Sequence, residues 1–211
     1  MLPFVALTLA ALAALLVAEY TGSRAGKWIA KPLASTGFIA AAVAAGALDH
    51  RYGLLVLAGL VLSWFGDVFL IPDDRPSVFL AGVASFLLGH VAYTVAFVSL
   101  GLATLWAGVA IAAFAAIGLP VFRWLRPHIP ADMKGAAYAY MVVISAMVVC
   151  AAGAAAATGR ATIFIGAFAF YLSDLSVASD RFVEPAFANR AWGLPLYYIA
   201  QLILASTVAM A

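Results

Sequence analysis

The chain has 211 residues, of which 67% are hydrophobic and only 9% are charged, and its mean hydropathy is +1.10. So few polar residues cannot cover the surface of a water-soluble domain of this length, which excludes a soluble globular protein. The formal net charge of +2 is too small to indicate a nucleic-acid-binding protein. The composition therefore predicts an integral membrane protein surrounded by membrane lipids.

Apolar segments of roughly 17 to 25 residues, the length that spans a bilayer, recur along the chain. We predict eight transmembrane helices, at residues 2–19, 29–48, 53–71, 78–99, 104–122, 135–157, 161–178 and 193–211. The first segment has no basic residue before its apolar core, so we interpret it as a retained helix and not a secretion signal. The connections are short, and we expect an all-α fold with a single membrane domain over residues 1–211.

The basic residues are distributed unevenly between the two sides of these eight helices. Nine of the eleven lysines and arginines follow the first, third, fifth and seventh helices, and only Arg51 and Arg160 lie on the other side. Cytoplasmic connections carry an excess of Lys and Arg. We therefore predict a protein of a bacterial inner membrane whose two termini both lie on the outer side.

Lys31 and Pro32 are predicted to open the second helix, because proline in a first helical turn loses no hydrogen bond. Ser35 follows one turn later. The lysine has two interpretations. Its ammonium either extends to the cytoplasmic head groups or faces an acid or a substrate phosphate.

Asp67 is an uncompensated carboxylate inside the apolar third helix. A charge at such a position costs at least about 2.5 kcal/mol on insertion, so the acid belongs to a functional site or to a buried pair. Asp174 has the same setting in the seventh helix, and Asp-Arg pairs follow the two acids at 74–75 and 180–181. This match predicts two parallel four-helix repeats. It also places the two acids at one depth, near the cytoplasmic side.

The fourth helix has one patterned face, formed by Gly82, Phe86, Gly89, His90, Tyr93 and Phe97 at intervals of three or four residues. Such a face points toward other helices. His90 and Tyr93 are then either hydrogen-bond partners between helices or members of a functional site.

The eighth helix is predicted to begin at Gly193, close to Pro195, and carries Tyr197, Tyr198 and Gln201. Tyrosines near a membrane boundary are typical of an aromatic belt. The deeper Gln201 amide requires hydrogen-bond partners inside the bundle. The fifth and sixth helices are predicted to contribute packing and a cytoplasmic loop.

Most of these polar residues map to the cytoplasmic half of the bundle, which predicts a polar pocket at one end. Two carboxylates in a poorly solvated site repel each other, so one keeps its proton while the other stays ionised, and the pair supplies an acid and a base. Such a pair suits hydrolysis through an oxocarbenium-like cation. Lys31 or Arg181 is placed to hold a phosphate.

Three other interpretations are open. A zinc hydrolase is disfavoured, because His50, His90 and His128 do not converge, and we predict no metal and no cofactor. In a small proton-coupled transporter of lipids or metabolites, the two acids would form a proton relay. In a purely structural interpretation, a basic neighbour neutralises each acid.

Short motifs in five of the predicted helices carry a resemblance to a known family. They are Lys31-Pro32-Leu33, the segment 66–70, the segment 79–82 with Phe86, Gly89-His90 and Tyr93, Ser173-Asp174 with Arg181-Phe182, and Tyr197-Tyr198 with Ala200-Gln201. In these motifs the sequence resembles the YhhN-like membrane proteins, which include the lysoplasmalogenases.

The resemblance implies an eight-helix membrane enzyme that hydrolyses the vinyl-ether bond of a 1-alkenyl lysoglycerophospholipid. Its products would be a fatty aldehyde and glycerophosphoethanolamine or glycerophosphocholine. We predict that Asp67 and Asp174 divide the acid and base roles. The predicted substrate-binding residues are Lys31, His90, Tyr93, Ser173, Arg181, Tyr197, Tyr198 and Gln201.

Overall fold

The computed structural model describes residues 1–72 and 75–210, and over these residues the chain forms eight long α-helices and no strand. The helices are α1 (Leu2–Tyr20), α2 (Arg24–Ala44), α3 (Arg51–Phe69), α4 (Pro76–Ser99), α5 (Thr104–Leu125), α6 (Lys134–Thr158), α7 (Ala161–Ala178) and α8 (Phe187–Ser206). A π-helical turn, Ser179–Val183, follows α7. The all-α prediction is confirmed, while Asp74 of the predicted Asp-Arg pair lies outside the described residues.

Seven helical segments of the described chain are long and apolar enough to cross a membrane. The exception among the eight helices is α2, whose amino-terminal half carries Arg24, Lys27 and Lys31. It nevertheless packs against α1, α3 and α8. The chain is thus an integral membrane protein.

The start of α2 differs from the prediction. The helix begins at Arg24, because the Ser23 hydroxyl caps it by accepting a hydrogen bond from the Gly26 amide at 3.2 Å. Pro32 therefore lies inside the helix, and its predicted place in the first turn is wrong. The Pro32 carbonyl accepts a hydrogen bond from the Trp64 indole of α3 at 3.2 Å.

The start of α8 is also earlier than predicted, at Phe187, so Gly193 and Pro195 lie within the helix. Gly193 faces Ser176 of α7, and a methyl group at this glycine would overlap the serine hydroxyl. The glycine therefore permits the close approach of α7 and α8. This close approach packs the carboxyl end of α7, which is predicted to be its cytoplasmic end, against α8.

The helices differ greatly in how far they are enclosed. α8 packs against α7, α2, α1 and α3, and 56% of the residues in its most apolar stretch are buried. α5 packs mainly against α6, and only 11% of the residues in its most apolar stretch are buried. α8 is therefore a central helix, whereas α5 exposes large apolar side chains such as Trp106 and Ile111 at the periphery.

Candidate active site

A cavity of about 450 Å³ lies at one end of the helix bundle. Its lining residues come from the carboxyl ends of α1, α3, α5 and α7 and from the amino ends of α2, α4, α6 and α8. Successive helices therefore run in alternate directions, and these eight ends meet. The volume lies within the range of roughly 300 to 1,000 Å³ that small-molecule sites occupy.

The wall of this cavity has an apolar part and a polar part. Helices α4, α5 and α6 contribute apolar side chains, among them Val83, Phe86, Leu125, Met141 and Ile144. Six of the predicted site residues also line it, namely Lys31, Asp67, Ser173, Asp174, Arg181 and Tyr197. Such a wall suits an amphiphilic ligand.

Asp67 is buried, with 2% of its surface exposed, and is surrounded by hydrogen-bond donors. Its Oδ2 accepts hydrogen bonds from the Ser35 hydroxyl at 2.6 Å and from the Tyr197 hydroxyl at 2.7 Å. The Lys31 Nζ lies 3.6 Å from its Oδ1. These surroundings complement an ionised carboxylate. The lysine faces the acid, as in the second of the two interpretations given for it from the sequence.

Tyr198 supports the Asp67 site from outside the cavity. Its hydroxyl lies 3.2 Å from the Ser35 hydroxyl and 3.3 Å from the Lys31 carbonyl. Ser35 has one proton, and its shortest contact is with the Asp67 carboxylate, so Tyr198 is the donor toward α2. Tyr198 therefore holds Ser35 in place and does not reach the cavity.

Asp174 has a different set of partners. Its Oδ2 accepts a hydrogen bond from the Tyr140 hydroxyl at 2.6 Å and lies 3.6 Å from the His90 Nε2. The His90 Nδ1 lies 2.6 Å from the Phe86 carbonyl, which can only accept, so Nδ1 carries a proton. In neutral His90 the Nε2 is then an acceptor facing a carboxylate. The His90 Nε2 has no hydrogen-bond partner among the described residues, and a proton on Asp174 would remove this conflict between two acceptors.

The two acids line one cavity but belong to separate networks. Asp67 of α3 uses partners from α2 and α8, whereas Asp174 of α7 uses partners from α6 and α4. Among the described residues, no hydrogen bond or ion pair joins the two carboxyl groups. Each network therefore presents its carboxyl group to the same cavity.

Tyr93 and Gln201 were predicted as substrate contacts, but the structure does not bring them to the cavity. The Tyr93 hydroxyl donates to the Gln201 Oε1 at 2.7 Å, and both residues are 0% exposed. Ser173 reaches the wall, although its hydroxyl donates to the Phe170 carbonyl of its own helix at 2.7 Å.

The cations at the mouth of the cavity differ in their partners. Arg190 bridges the Glu19 and Asp180 carboxylates, at 2.9 and 3.0 Å. The Arg181 guanidinium lies over the Phe79 ring, 4.2 Å from its centroid. Within the described chain no ion pair joins this guanidinium to a carboxylate.

Tyr140 is the site residue that the sequence analysis missed. It lies in α6, which was predicted to contribute only packing. A signal was present, since Tyr140 lies about two turns from the amino end of its helix, a depth similar to that of Asp174 from the end of α7. Within the described residues, no group of three or more His, Cys, Asp or Glu side chains converges on one point.

Comparison with known proteins identifies the chain. Residues 26–208 match the YhhN family. The chain belongs to the YhhN family. The matched region contains both acids and all of their partners, so the recognition from the short motifs is confirmed.

Several mammalian proteins are similar to this YhhN chain. Lysoplasmalogenase TMEM86B of Sus scrofa is 31% identical over 158 residues, which are 75% of this chain and 65% of that protein. Lysoplasmalogenase TMEM86A of Homo sapiens is 30% identical over 164 residues, 75% of this chain and 66% of that protein. The matched part thus spans slightly less than two thirds of these relatives. No solved structure matches the chain.

Proposed function

We propose that this YhhN protein is a lysoplasmalogenase-type hydrolase that cleaves the vinyl-ether bond of a 1-alkenyl lysoglycerophospholipid. The observation that carries the proposal is the pair of differently surrounded carboxyl groups, Asp67 and Asp174, on one partly apolar cavity. The similarity to proteins named lysoplasmalogenases supports the same substrate class. The products are a fatty aldehyde and a glycerophosphodiester such as glycerophosphoethanolamine.

The first step is a proton transfer to carbon. Asp174 in its protonated form, facing the His90 Nε2, protonates the alkenyl carbon remote from the ether oxygen, and the adjacent carbon becomes an oxocarbenium ion. The Asp67 carboxylate stabilises this cation and removes a proton from the water that attacks it. The result is a hemiacetal, with Asp67 protonated and Asp174 ionised.

The second step restores the starting state. Protonated Asp67 gives its proton to the ether oxygen, which leaves as the glycerol hydroxyl, and Asp174 takes the proton from the hemiacetal hydroxyl. The water oxygen becomes the aldehyde oxygen. This sequence assigns the acid role to Asp174 and the base role to Asp67, the two roles that their donors and acceptors favour.

The lipid is bound by two parts of the same wall. The apolar side chains of α4, α5 and α6 cover the alkenyl chain, and Arg181 at the mouth pairs with the phosphate. Lys31 is less suited to that role because it faces Asp67 at 3.6 Å. Arg190 is less suited because two carboxylates already neutralise it.

The eight helices form two parallel repeats of four, in which α2 is a membrane span like the others. The same interval of 107 residues separates Asp67 from Asp174 and His90 from Tyr197. Asp67 contacts Tyr197 of α8, and Asp174 faces His90 of α4, as a twofold axis along the membrane normal would require. α2 is 21 residues long, and about 31 Å of helix is enough to span.

The orientation of this domain follows from the positive-inside distribution, which puts the cavity in the cytoplasmic leaflet of a bacterial inner membrane. Cysteine labelling of intact cells tests it, in a Cys150→Ala background. A cysteine at Arg126 should resist an impermeant thiol reagent, whereas a cysteine at Arg160 should react. Labelling at Arg126 from outside would reverse the orientation.

Release of the glycerophosphodiester by purified protein, which cleavage of any sn-1 linkage would produce, tests the function, with fatty aldehyde measured as the second product of the alkenyl ether. The substrates are three lysophospholipids with the same head group and chain length, whose sn-1 linkage is an alkenyl ether, an alkyl ether or an ester. We expect turnover of the alkenyl ether alone, because acid catalysis needs the double bond and no activated nucleophile lies in the cavity wall of the described residues. Equal cleavage of the ester would exclude the mechanism.

A proton-coupled transporter is the second candidate, since both acids face one cavity. The cavity draws its walls from one end of the helices only, whereas a relay has to cross the membrane. Uptake of protons by protein-containing vesicles on addition of lysolipid, without aldehyde release, would favour this candidate over the hydrolase.

A further inference from the structure

We propose that the buried Tyr93–Gln201 hydrogen bond is a positioning bridge, which fixes His90, the partner of Asp174, relative to Tyr197, the partner of Asp67. The inference rests on the proposed function for its catalytic meaning. It gives Tyr93 and Gln201 a role other than contact with substrate.

The bridge connects the two carboxyl networks through their helices. Tyr93 lies one turn after His90 on α4, and Gln201 lies one turn after Tyr197 on α8. The Tyr93 hydroxyl donates to the Gln201 Oε1 at 2.7 Å. A single hydrogen bond therefore ties the helix that presents His90 to the helix that presents Tyr197.

The tyrosine itself is held rigidly. Its ring lies on Gly59 of α3, where a methyl group would come within 2.7 Å of the ring atoms. The ring of Phe170 from α7 lies between the two networks, with centroid distances of 4.6 Å to His90, 5.4 Å to Tyr197 and 6.3 Å to Tyr93. Movement of the bridge would therefore be transmitted to both acids' partners.

The amide nitrogen of Gln201 also supports a positioning role for the bridge. Its Nε2 is buried and has no hydrogen-bond partner among the described residues. The nearest turn of α8 presents the Tyr197 hydroxyl on the same helix face, and this oxygen is free to accept because its proton goes to Asp67. A small rotation of the amide would complete a chain of donors from Tyr93 through Gln201 and Tyr197 to Asp67.

Tyr93→Phe removes only the hydroxyl that forms the bridge. Tyr52→Phe is a matched control, because the Tyr52 hydroxyl is also buried and bonds Thr207 at 2.7 Å outside the cavity wall. We expect Tyr93→Phe to lower kcat about tenfold with KM within about twofold of wild type, and Tyr52→Phe to change neither. Binding of the uncleavable alkyl-ether lysolipid should be equal in both variants.

A second measurement needs no substrate. The chain has only three histidines, so ¹⁵N spectra of histidine-labelled protein in nanodiscs give few ring signals, and a His90→Gln variant assigns those of His90. We expect the His90 signals to shift in Tyr93→Phe and to stay in place in Tyr52→Phe. If wild-type protein fails to cleave the alkenyl ether, the proposed function fails, but these spectra still decide on the bridge.

Two results would overturn the bridge. One is an unchanged His90 spectrum in Tyr93→Phe. The other is a weakened affinity of that variant for the alkyl-ether lipid at unchanged kcat, which would return Tyr93 to the substrate contacts. If Tyr93→Phe does not fold, Gln201→Leu replaces it in both experiments. The same fall in kcat and the same shift of the His90 signals are expected.

Discussion

Asp67 and Asp174 lie near the carboxyl ends of α3 and α7 and line the same cavity, yet their surroundings differ. The Asp67 side chain is 3% exposed and meets a lysine and two hydroxyl donors, whereas the Asp174 side chain is 16% exposed and meets a tyrosine and a histidine. Two acids at comparable depth thus have different partners. In the proposed mechanism these partners decide which carboxyl group holds a proton and which remains charged.

The largest expected effect is on turnover. Asp67→Asn and Asp174→Asn each keep the shape of the side chain but remove its proton transfer, so each should lower kcat by about 10²-fold or more. The double variant should be little worse than either single variant, because the proposed mechanism needs both acids together. Aldehyde release measures this, with Asp132→Asn, an exposed acid outside the cavity, as the control. Full activity of either single variant would contradict the paired roles.

Stability should separate the two acids. Asp67→Asn leaves the Lys31 ammonium without its carboxylate and should destabilise the fold by up to about 3 kcal/mol. Among the described residues Asp174 pairs with no lysine or arginine, so Asp174→Asn should leave the thermal midpoint in detergent nearly unchanged.

A second substitution checks the cause of this difference. Lys31→Met added to Asp67→Asn removes the stranded charge, so the double variant should unfold at a higher temperature than Asp67→Asn alone. If Asp174→Asn were the less stable single variant, the assignment of the buried ion pair to Asp67 would be wrong.

The two tyrosines should have intermediate effects. Tyr140→Phe and Tyr197→Phe each remove one hydroxyl donor to a carboxyl group, at 2.6 and 2.7 Å. A hydrogen bond to a charged group contributes about 1.5 to 3 kcal/mol. In the proposed mechanism Asp67 is charged at the start and Asp174 becomes charged when it gives up its proton, so each kcat should fall by about tenfold or more. Tyr138→Phe is the control on α6, because its ring packs on Phe122 and it does not line the cavity. Equal activities of all three variants would exclude both tyrosines from the reaction.

The smallest expected effect concerns the head group. Arg181→Gln should raise KM by about fivefold at unchanged kcat, since an exposed ion pair contributes about 1 kcal/mol at most. Added salt should raise KM of the wild type but not that of the variant, because screening removes the same attraction. Arg126→Gln, which changes an arginine outside the cavity, should leave KM unchanged.

The two acids were predictable from the sequence because their unfavourable setting is a local property. An Asp among apolar neighbours can be identified without knowing which helices pack together. The positions of α2 and α8 were less predictable, because Pro32 and Pro195 suggested helix starts while the chain begins these helices earlier. For α2 the cause is the cap at Ser23, a short-range signal that the proline obscured.

The partners of the acids depend on packing between distant helices, which the sequence alone does not specify. Tyr140 lies in an alanine-rich helix where a tyrosine is compatible with simple packing, and only the contact with Asp174 gives it a role. The protonated nitrogen of His90 follows from its contact with the Phe86 carbonyl. Tyr93 and Gln201 were found as buried polar residues, but their mutual hydrogen bond separates them from the cavity.

The cavity takes its walls from one end of all eight helices, so under the proposed function lipid would enter from a single leaflet. Each turnover there would remove one phosphate head group and leave an aldehyde with a much smaller polar end. The leaflet in contact with the cavity would therefore lose area while the opposite leaflet keeps its own. In giant vesicles that contain the protein in one orientation, we expect the membrane to become concave on the side of the consumed leaflet as the reaction proceeds.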